Sequence, residues 1–452
     1  RPDTDLASLT ARVETAFETG RVDVLRMRRL VDVARELADL HHRLTTGATG
    51  SGVARFGLVL APSVEAGWAG AFPNNPFGVP VTLRGEADGL ALARGVLEGQ
   101  LRQGLDGIRV LRRARMELER PTEAAVSGEA LARLTWRDLT PEERGSCPPL
   151  FFVADETTLS GDGIAGLAEL LNGDLPLKAV FLAETSFRRE LGMSVPGGSR
   201  AAKPASAAPE IGLLALAGSR ALVVQTSIAH PRHLAAGVAS AVLHDGPAVL
   251  RLYAPSPERH GFACDRTIER ARGAVASRSC PLFTAVHDPV GGSALSVSLE
   301  GNPQEKAIWC LDESGEALTP AAWALAERRL AGCLSALADK DPEPTPLAEY
   351  LALSDEDRLD RTPVVAVPGA ERPLRVDPAL VDGAAERLAA WRTLQALARI
   401  GLPRAESVVE AEVLALATAR GWRTLACERA GVFGVVEVWV DNKYLVEVLV
   451  PE

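Results

Sequence analysis

About a third of the way along the chain stand Gly161-Asp162-Gly163, three residues of the types that hold a phosphorylated ligand through a divalent cation. Glycine lets a backbone close on phosphate oxygens, and a carboxylate beside it is a hard oxygen ligand for Mg²⁺. A second group, Arg188, Arg189, Arg200 and Lys203, could bind a carboxylate or phosphate, although a solvated basic loop is the commoner meaning of such residues. His230 and His233 are spaced like metal ligands, but Pro231 intervenes and no acidic or thiol partner is close in sequence, so ordinary helix-start histidines are the expectation. His41 and His42 fall at the end of a helical stripe, where basic residues suit the helix dipole.

These residues depend on the elements that carry them. The apolar run Leu150 to Ala154 reads as a strand, Gly163 to Leu171 as a helix, and Leu177 to Ala183 as a second strand. Two strands joined by a crossover helix make a parallel βαβ unit, and open sheets of this kind place ligands beyond the strand carboxyl ends. The alternation continues with a helix from Ile211 to Gly218, a strand from Ala221 to Gln225, a helix from His230 to Leu243 and a strand from Ala248 to Tyr253. That pattern predicts an α/β fold with a doubly wound, mostly parallel sheet.

Upstream, Val22 to Leu44 predicts an amphipathic helix, Phe56 to Leu60 a strand, and Ala87 to Glu119 a long helix. Gly95, Gly99, Gly104 and Gly107 inside that long helix imply close packing against a neighbour. Downstream, Thr319-Pro320 caps a helix bearing Trp323, Leu325, Leu330 and Leu334, and Asp339 to Pro346 has the composition of a linker. Beyond it a small α+β appendage is expected, with helices over Ala384–Ile400 and Ser407–Arg420 and a hairpin over Gly434–Val440 and Tyr444–Val450. The resulting division is an N-terminal helical segment (1–52), a central domain (53–340) and the appendage (341–452).

Composition narrows the classes. A chain of 452 residues exceeds a single core, and its net charge of −10 without a basic stripe argues against nucleic acid. No run approaches the length of a membrane helix and no charged-then-apolar leader opens the chain, so a cytoplasmic protein is expected. Cys147, Cys264, Cys280, Cys310, Cys333 and Cys427 are scattered without a CxxC pair, which suggests reduced, structural thiols.

Phe56 to roughly Ala338 resembles the thiamine diphosphate-binding domain of pyruvate:ferredoxin (2-oxoacid:ferredoxin) oxidoreductases, in a degenerate form. The carriers are the order of elements and the phrases LAPSVEAGW, LAELLNGDLPLKAVFLAE, SVPGGSRAAKP and HDGPAVLRLYAPSPERHGF. In that family a strand ends directly in Gly-Asp-Gly, whose Asp ligates Mg²⁺, and a later strand ends in Asp-Thr. Here the strand ends at Ala154 and Gly161 comes seven residues later. Counting back from Ala183 leaves 25 residues to Thr157, which fits the family's spacing, against 19 to Gly163, which does not. The resemblance therefore puts Asp155, Glu156 and Thr157 at the Gly-Asp-Gly position, and Ala183 and Glu184 at the Asp-Thr position. Gly161-Asp162-Gly163 becomes a coincidence.

Side chains then replace the glycines, and Glu184 adds negative charge beside any diphosphate. Two like charges at ~4 Å repel by ~4 kcal/mol at an effective dielectric of about 20. The opposite reading, an altered acidic metal site of Asp155, Glu156 and Glu184, is the alternative for these residues, and the metal is left unknown. The resemblance also implies an iron–sulfur cluster, but its thiolate positions carry no cysteine: no CxxC precedes Phe56, the next strand runs into Ala61-Pro62-Ser63, and the late phrase reads Ala254 to Gly261. The family's activating glutamate comes from a different domain, which is not visible in this sequence.

Three readings follow. The first is a catalytically degenerate oxidoreductase-like domain with no catalytic residue and no cofactor, structural or regulatory in a larger assembly. The second is an active, divergent 2-oxoacid:acceptor oxidoreductase component that takes thiamine diphosphate and Mg²⁺, or another anion, in the same cleft. The third is a pure assembly module that self-associates.

Overall fold

The structure, a computed structural model, describes residues 23–48, 50–61, 81–83, 89–124, 127–159, 162–184, 212, 221–287, 295–400, 423–430, 433–440 and 443–451. Contacts group the chain into two units, residues 1–153 with 175–178, and residues 154–174 with 179–452.

In the first unit, helix α1 (Val24–Thr45) lies against the long helix α2 (Gly89–Glu119). Asp23 caps α1 by accepting from the amides of Leu25 and Arg26. Between the helices, Arg29 Nε meets Glu117 Oε1 at 2.5 Å, with Glu117 almost fully buried, and Arg113 pairs with Glu36. The helix glycines divide. A Cβ at Gly107 would lie 3.0 Å from Leu40 Cδ1 and one at Gly104 2.9 Å from Cys147 Sγ, whereas Gly95 and Gly99 have nothing within 4 Å. Close packing thus accounts for two of the four. Strands β1 (Gly57–Leu60) and β2 (Val81–Leu83) are parallel, and β1 also runs parallel to β3 (Leu150–Asp155), with Gly57 opposite Leu150. Leu58, Leu60, Phe151 and Val153 form a small apolar cluster there.

In the second unit, a 3₁₀ turn (Glu156–Leu159) follows β3 and leads to α3 (Asp162–Asn172) and then β4 (Lys178–Ala183). Strand β5 (Leu222–Ser227), helix α4 (Pro231–Leu243) and strand β6 (Ala248–Tyr253) complete a parallel crossover, with Leu222 opposite Ala248 and Ser227 opposite Tyr253. Both units are α/β, with mostly parallel strands. The departure is at β7 (Phe283–His287), which pairs antiparallel with β5 and carries β8 (Leu295–Ser298) antiparallel beyond it.

Short helix α5 (Pro257–His260) follows β6 and ends at Gly261 in the left-handed region at φ 74°. A Cβ there would also sit 2.8 Å from Arg328 Cβ, so glycine meets two demands at once. Helix α6 (Thr267–Ala276) and the short α7 (Pro320–Ala324) come next, α7 being capped by Thr319 as its sequence predicts. Contrary to expectation, α7 stops at Ala324, and Leu330 belongs to a 3₁₀ segment.

The expected linker is not one. Glu343–Pro346 forms strand β10 in a four-stranded sheet with β9 (Leu334–Ala336), β11 (Arg361–Val365) and β12 (Leu374–Val376), in the order β9-β12-β11-β10. Leu347, Val365, Val376 and residues of helix α8 (Pro378–Leu397) share one core with Tyr253, Ala274 and Trp323. A fully buried arginine fastens α8 to a loop: Arg278 Nη2 donates to the carbonyls of Gln304 at 2.8 Å and Ala307 at 3.3 Å, while its guanidinium lies 4.0 Å from the centroid of the Trp391 ring. Trp391 Nε1 donates to the same Ala307 carbonyl at 3.0 Å. Three antiparallel strands close the chain, β13 (Arg423–Ala430), β14 (Phe433–Val440) and β15 (Lys443–Pro451). The last two are the expected hairpin; β13 was not foreseen. The helix expected over Ser407–Arg420 lies outside the described residues. Among the described residues, no helix is long and apolar enough to cross a membrane.

Candidate functional site

The strand-end residues of the second unit separate into two ion pairs. Residues Leu150 to Asp155 alternate buried and half-buried, as one strand between two environments does. The chain then turns at once into the 3₁₀ segment, where Thr158 Oγ1 donates to the Asp155 carbonyl at 2.6 Å. This turn sends the Glu156 side chain inward, where it is 7% exposed and meets Arg251 of β6, itself 8% exposed. Arg251 Nε donates to Glu156 Oε1 at 2.5 Å and Nη2 to Oε2 at 3.3 Å, a two-point contact.

The other guanidinium nitrogen, Nη1, reaches Gln225 Oε1 and Cys280 Sγ, each at 3.4 Å. Gln225 stands opposite Arg251 in the β5–β6 register and is fixed by donating from Nε2 to the Pro281 carbonyl at 2.7 Å. Burial pushes the Cys280 thiol up, and the nearby Arg251 opposes that rise. The thiol is therefore an uncharged hydrogen-bond partner here rather than a nucleophile.

Glu184 faces the other way. Its Oε2 accepts from Arg259 Nη1 at 2.8 Å, and that arginine is well exposed. Burial raises the Glu184 carboxyl, Arg259 opposes the rise, and the Asp155 charge adds to it. Asp155 and Glu184 thus share one electrostatic neighbourhood. Ala183 is fully buried, with its carbonyl accepting from the Ala254 amide at 2.8 Å. Thr157 occupies the 3₁₀ turn.

Asp155, Glu156, Ala183 and Glu184 therefore come together at one strand edge, but not as a single acidic ligand set. Two arginines that the sequence reading gave no role, Arg251 and Arg259, split the acids between them. One signal was present: an arginine inside the apolar run AVLRLY has to be paired if it is buried. The residues do not fit a magnesium diphosphate. Both oxygens of Glu156, at the position the resemblance gives to the metal-ligating Asp, face a guanidinium, and a cation there would have to displace it.

Asp162 begins α3, and a Cβ on Gly163 would run into the Thr158 carbonyl oxygen. That close approach explains the glycine without a ligand. Gly163→Ala is expected to destabilise the protein by roughly 1–3 kcal/mol through overpacking, read as a lower urea midpoint. An unchanged midpoint would contradict the packing role.

His230 occupies the N-cap position of α4, and His233 Nδ1 lies 3.0 Å from Thr226 Oγ1. Burial lowers both imidazoles. His41 and His42 lie in the last two turns of α1. Among the described residues no group of three or more His, Cys, Asp or Glu could hold a metal ion. Cys147, Cys264, Cys280, Cys310 and Cys333 are all free thiols, and Cys264 is exposed. Arg188, Arg189, Arg200 and Lys203 lie outside the described residues.

No known family's sequence profile matches the chain, and no curated protein does. Among solved structures, the chain is similar to a 2-oxoglutarate:ferredoxin oxidoreductase from Magnetococcus marinus, solved with 2-oxoglutarate, coenzyme A and succinyl-CoA bound. The identity is 13%, the TM-score is 0.26, and the alignment covers 50% of this chain and 62% of that one, less than two thirds of its length.

Proposed function

We propose that the chain is a catalytically degenerate relative of the 2-oxoacid oxidoreductase thiamine domains, serving a structural or regulatory role within a larger cytoplasmic assembly or in self-association. The observation that carries this reading is the buried Glu156–Arg251 pair. At the position where the resemblance calls for a carboxylate on Mg²⁺, the carboxylate is held by a side chain of the same chain. An internal guanidinium supplies the positive charge that a cofactor's cation would otherwise bring. The second strand end supports the same reading, since the Glu184 carboxylate is likewise paired with a guanidinium of this chain, that of Arg259.

Titration calorimetry of the purified chain with thiamine diphosphate and Mg²⁺ tests this. No saturable heat is expected, and an iron assay should find no stoichiometric iron. Stoichiometric binding of the diphosphate would overturn the reading and favour the active, divergent enzyme.

A further inference from the structure

At the carboxyl end of β6, the Tyr253 side chain is fully buried, and its hydroxyl has no hydrogen-bond partner among the described residues. Its neighbours are left in the same state. His260 is 2% exposed with Nδ1 unpartnered, and Glu327 is 1% exposed with Oε1 unpartnered. The other oxygen of Glu327 accepts from Arg329 Nε at 2.7 Å, while Arg329 Nη2 also lacks a partner. His260 Nδ1 and Glu327 Oε1 stand 3.7 Å apart, too far for a direct hydrogen bond. Glu327 joins these groups: its Oε1 faces His260 Nδ1, its Oε2 holds Arg329, and its charge and that of Arg329 act on Tyr253.

Each buried polar atom left unsatisfied costs about 1–3 kcal/mol, so several together point to something that satisfies them. The atoms define what that is. Burial keeps the Tyr253 phenol protonated and the His260 imidazole neutral. The site therefore offers two donors, the Tyr253 hydroxyl and Arg329 Nη2, one acceptor, Glu327 Oε1, and His260 Nδ1, which donates or accepts according to the tautomer of the neutral ring. A cation is repelled by Arg329 and an anion by Glu327. Water presents two donors and two acceptors in the smallest volume, and internal waters commonly make two to four such bonds.

We propose that Tyr253, His260, Glu327 and Arg329 form a buried binding site for a single resident water molecule. The water ties the end of β6 to α5 and to the segment that leads into the 3₁₀ turn at Arg328. It thereby steadies the loop whose Arg259 holds Glu184. The proposal stands whether or not the strand-end site is degenerate.

A high-resolution crystal structure of the unmodified chain tests it. The expected result is a solvent peak within about 3.2 Å of at least three of the four named atoms. A map in which those atoms bond directly to one another or to other protein atoms, with no peak between them, would overturn it. A second crystal soaked in bromide distinguishes the ligand. An anomalous peak at the site would assign an anion and refute water, whereas no anomalous signal on a retained peak supports it.

Discussion

Arg251→Ala is expected to be the most damaging single substitution at the strand edge, lowering stability by about 3–5 kcal/mol. Removal of the guanidinium leaves the Glu156 carboxylate buried without the cation that holds both its oxygens, and it strips hydrogen-bond donors from Gln225 and Cys280. Most of the loss is the cost of leaving a buried carboxylate without that guanidinium rather than the net worth of the pair. The companion variant makes that distinction measurable. Glu156→Leu combined with Arg251→Met removes both charges and should unfold in urea near the parent midpoint, or above it by the equivalent of about 1–4 kcal/mol. A single variant that costs under about 1 kcal/mol, in the range of surface pairs, would show that Glu156 is not buried against Arg251.

Acid sensitivity centred on His260 is the second large effect. Burial lowers this imidazole to about 2, with the positive charges of Arg329, Arg259 and Arg270 adding to the shift. In the unfolded chain the same group titrates near 6.5. The unfolded state therefore binds a proton that the folded state refuses throughout that window, and stability falls as pH drops through it. The loss approaches ~1.4 kcal/mol per pH unit for one fully neutral histidine. Glu327 and Glu184 work in the opposite sense, since their raised carboxyls contribute stability below the ordinary glutamate range that is lost as pH rises through their folded values. The His260 contribution is isolated by comparison with His260→Gln. From pH 7 to pH 5 the parent should lose about 2 kcal/mol more than the variant in urea unfolding. Equal losses would mean that His260 accepts a proton in the folded protein.

Periodicity made the architecture legible more readily than the chemistry. The strand Ala248–Tyr253 and the long helix ending at Glu119 have the bounds or the endpoint that their apolar spacing predicts, because local burial fixes both. The antiparallel edge of β7 and β8 was hidden, since an isolated apolar run carries no information about the direction of its partner. Strand β10 was hidden for another reason: the proline-rich Glu343–Pro346 looks like linker until Arg361–Val365 is there to pair with it. At the site, strand ends and acids could be located from spacing. Their partners could not, because Glu156 and Arg251 lie 95 residues apart and only the folded register joins them.

The clamp between Arg278 and Trp391 bears on where the second unit can be cut. A piece ending near residue 340 would look whole by composition, yet it would remove the aromatic ring against which a fully buried cation rests, and the Ala307 carbonyl would lose two of its three donors, Trp391 and Gln395. Tyr253, Ala274 and Trp323 would lose apolar cover in the same stroke, since Val376, Leu380 and Leu388 belong to their core. The smallest fragment that keeps this interior sealed therefore extends at least through Gln395, and the segment after the proline-rich strand acts as a lid on the α/β core.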